Sequence, residues 1–173
     1  MFGRLTAEFF RRDVLEVAPA LLGKTLARVY PDGNVSRFII SETEAYRGTD
    51  DLACHASKGR TPRTDVMFQE GGLIYVYFIY GMYWMLNFVT GEPGNASAVL
   101  IRGLENIHGP GKVGRLLQLD RSFYGENLQT SNRLWVEDTP CSGCIITTHP
   151  RVGIHYAGEP WVSLPWRYRI HLR

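Results

Sequence analysis

The run from Leu73 to Val89 constrains the fold most, because it is the longest apolar stretch and is broken only at Gly81 and Asn87. A membrane span needs about 20 consecutive apolar residues, whereas this run is interrupted and packed with tyrosine. It reads as two paired strands, Leu73–Tyr80 and Tyr83–Thr90, turning at a tight tip around Gly81-Met82. Side chains alternate along a strand, so Tyr75 and Tyr77 share a face. An aromatic sheet core accounts for part of this pattern. It does not account for Tyr80 and Met82 on either side of Gly81, large apolar groups where a hairpin tip is normally polar. Proteins that work in the DNA minor groove insert such wedges between bases.

The rest of the chain supplies a sheet and helices around this hairpin. Thr6–Leu22 reads as helix in two pieces, with Asp13-Val14-Leu15-Glu16 in the form of a capping box and Gly23 suited to a C-cap. Pro19 removes a backbone donor from the second piece. Lys24–Tyr30 and Val35–Glu42 flank Pro31-Asp32-Gly33-Asn34 and read as an antiparallel hairpin. Arg47–Gly72 is polar and broken, a loop longer than connections usually are without a function. Further strands are expected at Ala96–Gly103, Arg133–Glu137 and Ile145–Thr148, and a helix at Lys112–Leu119 with an apolar stripe. From Arg151 the chain reads as loop-rich. The expected fold class is α+β: residues 1–173 as one compact domain, mainly antiparallel sheet with surrounding helices and a protruding tyrosine-rich β-hairpin.

Composition adds little to this. With 173 residues, 45% hydrophobic and 21% charged, the chain fits one globular domain. A net charge of +2 allows a local basic face but does not argue for one. The N-terminal Met1-Phe2-Gly3-Arg4-Leu5-Thr6 has no basic region followed by an apolar one, so no signal peptide is expected. Three cysteines are too few for a secreted disulfide scaffold, and reduced thiols are expected.

Four segments could carry chemistry. Glu42 and Glu44, two apart on one strand, would lie on one face roughly 7 Å apart, a spacing that suits inverting hydrolysis of a glycosidic bond. A solvated edge strand explains the same pair without any function. His55, in a loop, could orient a substrate or donate to a leaving atom, or simply face solvent. Cys141 and Cys144 have ligand-like spacing, with His149 and Cys54-His55 elsewhere. A structural zinc site usually draws on two such pairs, so no metal is expected. Gly109-Pro110-Gly111-Lys112 at a helix start is either a phosphate-binding turn or an ordinary cap, and it lacks Walker-loop spacing.

Taken in order, these segments resemble the alkyladenine (3-methyladenine) DNA glycosylase family, in the form of a compact bacterial-type member. The resemblance runs through Glu42-Thr43-Glu44-Ala45-Tyr46, Ala53-Cys54-His55, Thr61-Pro62-Arg63 and Tyr75-Val76-Tyr77. It continues through Ile79-Tyr80-Gly81-Met82-Tyr83, Asn87, Leu100-Ile101-Arg102, Gly109-Pro110-Gly111-Lys112 and Arg151-Val152-Gly153-Ile154. The first run and the tyrosine hairpin are highly specific in combination.

The resemblance implies an enzyme that flips a damaged purine out of duplex DNA, because the glycosidic bond cannot be reached inside the stack. Glu44 would be the general base, activating a water that also touches Arg102 and the Val152 backbone carbonyl. Arg102 would hold that carboxylate as an anion. Tyr46, His55 and Tyr77 would wall a base pocket favouring electron-poor alkylated purines, and Asn87 would obstruct the amino group of normal guanine. Tyr80, with Met82 beside it, would fill the gap left by the flipped base. Lys58, Arg60 and Lys112 would contact the DNA backbone.

The resemblance also implies a monofunctional base-excision repair enzyme with no lyase step, no metal and no cofactor. The implied substrates are N3-methyladenine, with 7-methylguanine, hypoxanthine and ethenoadenine as further candidates. The family uses one catalytic carboxylate, which leaves Glu42 a supporting role. Damaged double-stranded DNA is the expected partner, with no membrane association and a monomeric chain, in the cytoplasm and nucleoid of a bacterium or the nucleus of a eukaryote. Two alternatives stay open: a lesion-binding protein of the same fold without turnover, and a two-carboxylate glycoside or nucleoside hydrolase.

Overall fold

A twelve-residue strand, β2 (Val35–Tyr46), organises the molecule, because the segments that build the candidate site either pair with it or rest on its partners. Its first half pairs antiparallel with β1 (Thr25–Val29), in register from Thr25↔Ile39 to Val29↔Val35. The intervening turn is the expected one: Asp32 Oδ1 accepts the Asn34 amide at 2.9 Å, and Gly33 takes φ +86°. The second half of β2 pairs with β5 (Ser97–Leu104), which carries Arg102 opposite the two glutamates.

The computed structural model describes residues 1–171. Among these, nine strands form one sheet. Its main path runs β3 (Ile74–Ile79), β4 (Tyr83–Thr90), β5, β2, β1 and β7 (Leu134–Glu137). β6 (Ile107–His108) pairs with β5, and β8 (Ile145–His149) pairs with β9 (Arg167–His171). All pairings are antiparallel. The fold is a single compact α+β domain.

Two corrections concern strands. The C-terminal part is not all loop, since β9 pairs with β2 at Glu42, Thr43 and Glu44. Its sequence, Arg167-Tyr168-Arg169-Ile170-His171, alternates charged with apolar residues and looks solvated until its partner strands are known. β6 was likewise not expected; two residues carry no readable period.

The helices are short. α1 (Ala7–Arg11) and α2 (Val14–Ala20) are separated at Asp13, whose side chain caps α2 by accepting the Leu15 amide at 2.8 Å. Pro19 sits inside α2, and Gly23 follows it at φ +82°. α3 (Pro110–Leu116) begins two residues earlier than expected, with Pro110 at its first position, where its missing N–H costs nothing. A Cβ on Gly114 would collide with the Trp84 carbonyl, so this glycine is what lets α3 lie directly on β4. The core between helices and sheet contains Phe10, Val17, Leu21, Ile40, Phe88 and Ile101, all fully buried.

Thiol chemistry departs from expectation. Cys141 and Cys144 form a disulfide across a turn in which Gly143 takes φ +74°, bringing their Cα atoms to 5.8 Å. Cys54 is free and buried, and burial pushes its thiol up to about 12. No helix among the described residues is long and apolar enough to cross a membrane.

Candidate active site

A cavity of about 1140 Å³ opens beside the β3–β4 hairpin. The 3-10 turn His55–Lys58, the Gly109–Lys112 segment and the loop from Val152 to Tyr156 complete its wall. Six residues picked from sequence meet here although they are scattered along the chain: Glu44, Tyr46, His55, Tyr77, Asn87 and Arg102.

Glu44 is fully buried on β2. Its Oε2 accepts the Val152 backbone N–H at 2.7 Å. Its Oε1 accepts the Tyr46 hydroxyl at 3.2 Å and lies 3.6 Å from the Arg102 guanidinium. Burial raises the carboxyl above its ordinary value; Arg102, the Val152 N–H, the Tyr46 hydroxyl and Arg151 pull the other way without cancelling it. Arg102 therefore favours the anion, as expected, but desolvation wins. A carboxylate with a raised pKa is a stronger base once ionised, which is what activation of water requires.

Glu42 does not join Glu44 in the cavity wall. Its Oε1 accepts Arg167 Nη1 at 2.9 Å and lies 3.4 Å from Arg102 Nε, and its Oε2 lies 4.0 Å from Arg169 Nε. Two residues apart on a regular strand would share a face, but the pairing with β5 is irregular on both sides of Glu42. The two carboxylates are still neighbours, both against the Arg102 guanidinium, but only Glu44 lines the cavity. One carboxylate faces the cavity, and the other sits among three arginines.

The aromatic wall is tightly built. The His55 and Tyr77 rings meet edge to face at 4.6 Å, and His55 Nδ1 lies 2.9 Å from the Tyr75 hydroxyl. Burial, reinforced by Arg63 and Lys58, holds the imidazole down to about 4. It is neutral near pH 7 and offers one donor and one acceptor nitrogen. The Arg63 guanidinium lies 5.1 Å from the centre of the Tyr77 ring. Asn87 is fixed through Nδ2, which donates to the carbonyls of Tyr75 at 3.2 Å and Met85 at 3.4 Å.

Behind Tyr46 lies an ion pair that sequence reasoning missed. Arg151 and Asp51 are both wholly buried and doubly hydrogen-bonded, at 2.6 and 3.0 Å. The Arg151 guanidinium sits 4.9 Å from the rings of both Tyr46 and Trp166, and it donates to the Ala45 carbonyl at 3.0 Å. Asp51 also accepts the amides of Arg47 and Ala53. Nothing in the spacing couples residues 51 and 151. The nearest available signal was Arg151 at the head of the Arg-Val-Gly-Ile motif.

At the mouth, Tyr80 is 80% exposed and Met82 is 55% exposed. The turn centres on Tyr80-Gly81, not Gly81-Met82: the Met82 amide donates to the Ile79 carbonyl at 3.2 Å, and the two central residues take φ +56° and +65°. Positive φ at both positions matches the twist of a hairpin but is strained for a tyrosine. Lys58 and Lys112 border the cavity with exposed side chains. Arg60 lies outside it, paired with Asp65 at 2.6 Å.

Comparison with known proteins agrees on one family. The family model described as methylpurine-DNA glycosylase matches residues 8–173. A protein of Methanocella arvoryzae named "Putative 3-methyladenine DNA glycosylase" is 44% identical, covering 95% of this chain and 90% of its own. Proteins of the same name from Anaeromyxobacter dehalogenans and Legionella pneumophila are 44% and 41% identical, each covering 96% of this chain and, respectively, 83% and 94% of their own.

Proposed function

Because the chain belongs to the methylpurine-DNA glycosylase family, we propose that it excises alkylated purines from duplex DNA by hydrolysis, with Glu44 as general base. The observation that carries this reading is the pairing of a buried, hydrogen-bonded carboxylate with an aromatic cavity beneath an exposed tyrosine tip. A carboxylate fixed in place and shielded from bulk solvent is suited to act as base toward a water within hydrogen-bond reach.

The chemistry follows from the groups present. Tyr80 enters the duplex at the vacated position while the damaged nucleotide rotates into the cavity. The base stacks among Tyr46, His55 and Tyr77, whose π faces favour a cationic N-alkylpurine over a neutral one. Glu44 takes a proton from water as its oxygen attacks C1′ of the sugar. Arg102 and the Val152 carbonyl hold that water in line. The C1′–N bond breaks with its electron pair leaving on the base, so N3-methyladenine departs neutral without an added proton. The products are a free base and an abasic site, with no covalent enzyme intermediate and no lyase step. Asn87, immobilised by the Tyr75 and Met85 carbonyls, narrows the pocket against the amino group of guanine. 7-Methylguanine, hypoxanthine and ethenoadenine are secondary candidates. The chain acts as a monomer on DNA, in the compartment that holds it.

The test is release of free base from an alkylated duplex under single-turnover conditions. Wild-type protein releases N3-methyladenine, and Glu44→Gln binds the same duplex without releasing it. Release that survives Glu44→Gln rules out this assignment of the base.

A further inference from the structure

We propose that Arg167 and Glu42 form a positioning pair that sets the geometry of the catalytic carboxylate from outside the cavity; this rests on the role proposed above for Glu44.

Arg167 reaches both groups that hold Glu44. Its Nη1 donates to Glu42 Oε1 at 2.9 Å, and the same oxygen lies 3.4 Å from Nε of Arg102. Arg102 in turn places Nη1 3.6 Å from Glu44 Oε1. In the other direction, Nε of Arg167 donates to the Pro150 carbonyl at 2.8 Å. Two residues on, Val152 donates its N–H to Glu44 Oε2 at 2.7 Å. One guanidinium thus anchors the side-chain contact to Oε1 and the main-chain contact to Oε2.

The backbone supports the same arrangement. Glu44 pairs with Arg167 across β2 and β9, and the Ala45 amide donates to the Trp166 carbonyl at 2.8 Å. The same ladder continues to Glu42, paired with Arg169 where the β2–β5 register is irregular, so β9 holds the stretch of β2 that its other neighbour holds least regularly.

Arg102 alone would be a flexible cation free to rotate toward solvent or DNA phosphate. A carboxylate behind it, itself held by Arg167, restricts that freedom and neutralises part of the local charge. Glu42 lies outside the cavity wall among Arg102, Arg167 and Arg169, and this position explains why a second glutamate stands two residues from the first. Residue placement of this kind matters because misplacing a reacting group by about 1 Å can cost on the order of a hundredfold in rate.

The groups facing Glu44 determine the sign of the expected pH effect. They are Tyr46 on β2, Arg102 on β5, Tyr77 on β3, and Arg151, the Val152 N–H and Tyr156 in the loop; Glu42, with Arg167 and Arg169 against it, lies behind Arg102. Replacing Arg167 loosens the segment that carries the Val152 N–H, through Pro150, and the Glu42 carboxylate behind Arg102. A less firmly held Val152 N–H and Arg102 both support the Glu44 anion less, so the acid limb of activity moves to higher pH.

The experiment compares wild type, Arg167→Gln, Arg167→Lys, Glu42→Gln and the Glu42→Gln/Arg167→Gln double variant in single-turnover base release across pH. Binding to an abasic-site duplex and thermal unfolding are measured on the same preparations. Arg167→Gln is expected to slow release by roughly ten- to a hundredfold and to raise the acid limb, with abasic-DNA affinity unchanged. Arg167→Lys restores part of the rate, and the double variant is no slower than the slower single variant, because the two residues act through each other. A folded Arg167→Gln with wild-type rate and acid limb overturns the pair. So does a wild-type profile in Glu42→Gln, which decides the matter if Arg167→Gln does not fold. Absence of base release from the wild type overturns the glycosylase reading itself and the pair with it, and is recognised by that difference.

Discussion

The backbone amide of Val152 donates to Oε2 of Glu44 at 2.7 Å, joining residues 108 positions apart. The contact ties the loop after Arg151 to a carboxyl with no solvent exposure, and supplies it with a hydrogen bond that water would otherwise provide.

Glu44 is raised by burial above its ordinary value despite Arg102 and the Val152 N–H. A general base works only when deprotonated, so activity should fall on acidification, with an acid limb above the ordinary glutamate range near 4.3. Single-turnover rates from pH 4 to 8 check this. A limb at or below the ordinary value would show that the arginines outweigh burial.

Tyr80 holds φ +56° at an exposed tip, where a tyrosine gains little from packing. Tyr80→Gly should leave the fold intact and stabilise it by about 1 kcal/mol through relief of the left-handed backbone. Affinity for a lesion duplex should fall at the same time. Urea unfolding and a DNA-binding titration, run together, separate the two effects; a stabilised variant that still binds fully would remove Tyr80 from the interface.

Lys58 and Lys112 border the cavity unpaired by any described salt bridge, whereas Arg60 is held by Asp65. Lys58→Ala and Lys112→Ala should each lower the slope of log affinity against log salt by close to 1. Arg60→Ala should lower it less, since its charge is partly neutralised before DNA arrives. Equal slopes for all three would contradict this ordering.

Arg151 and Asp51 are both wholly buried. Removing one partner leaves an uncompensated charge, so Arg151→Met should destabilise by about 3–5 kcal/mol. The Asp51→Asn/Arg151→Met double variant should recover part of that loss. Chemical denaturation of Arg151→Met, Asp51→Asn and the double variant measures it, and strict additivity would mean that the pair is not coupled.

His55 is held down to about 4. The unfolded chain binds a proton near 6.5 that the folded chain refuses, so stability should decline as pH falls from about 6.5 to 4, by about 3 kcal/mol for this group. His55→Gln should flatten that part of the pH–stability curve. An unchanged slope would mean that the imidazole is not buried as neutral.

Much of this was legible along the chain because it depended on local periodicity. Paired strands around a tyrosine tip, the β1–β2 hairpin and a glycine-led helix at residue 110 follow from alternation, turn residues and caps. Glu44, Tyr46, His55, Tyr77, Asn87 and Arg102 could be named because they sit in short motifs, and the fold brings all six to one cavity. What sequence could not decide were relations between distant segments. Glu42 and Glu44 share Arg102, yet only Glu44 lines the cavity, a difference that spacing does not encode. β9 exists as a strand only because β2 and β8 supply its hydrogen bonds. Asp51 with Arg151, Val152 with Glu44 and Arg167 with Glu42 are long-range pairs whose energies come from burial and exact distance, and neither is encoded by neighbours in the chain. The sequence by itself determined which side chains could do the chemistry. Only the tertiary structure decided which of two carboxylates faces the cavity, because desolvation and charge pairing are properties of the packed molecule.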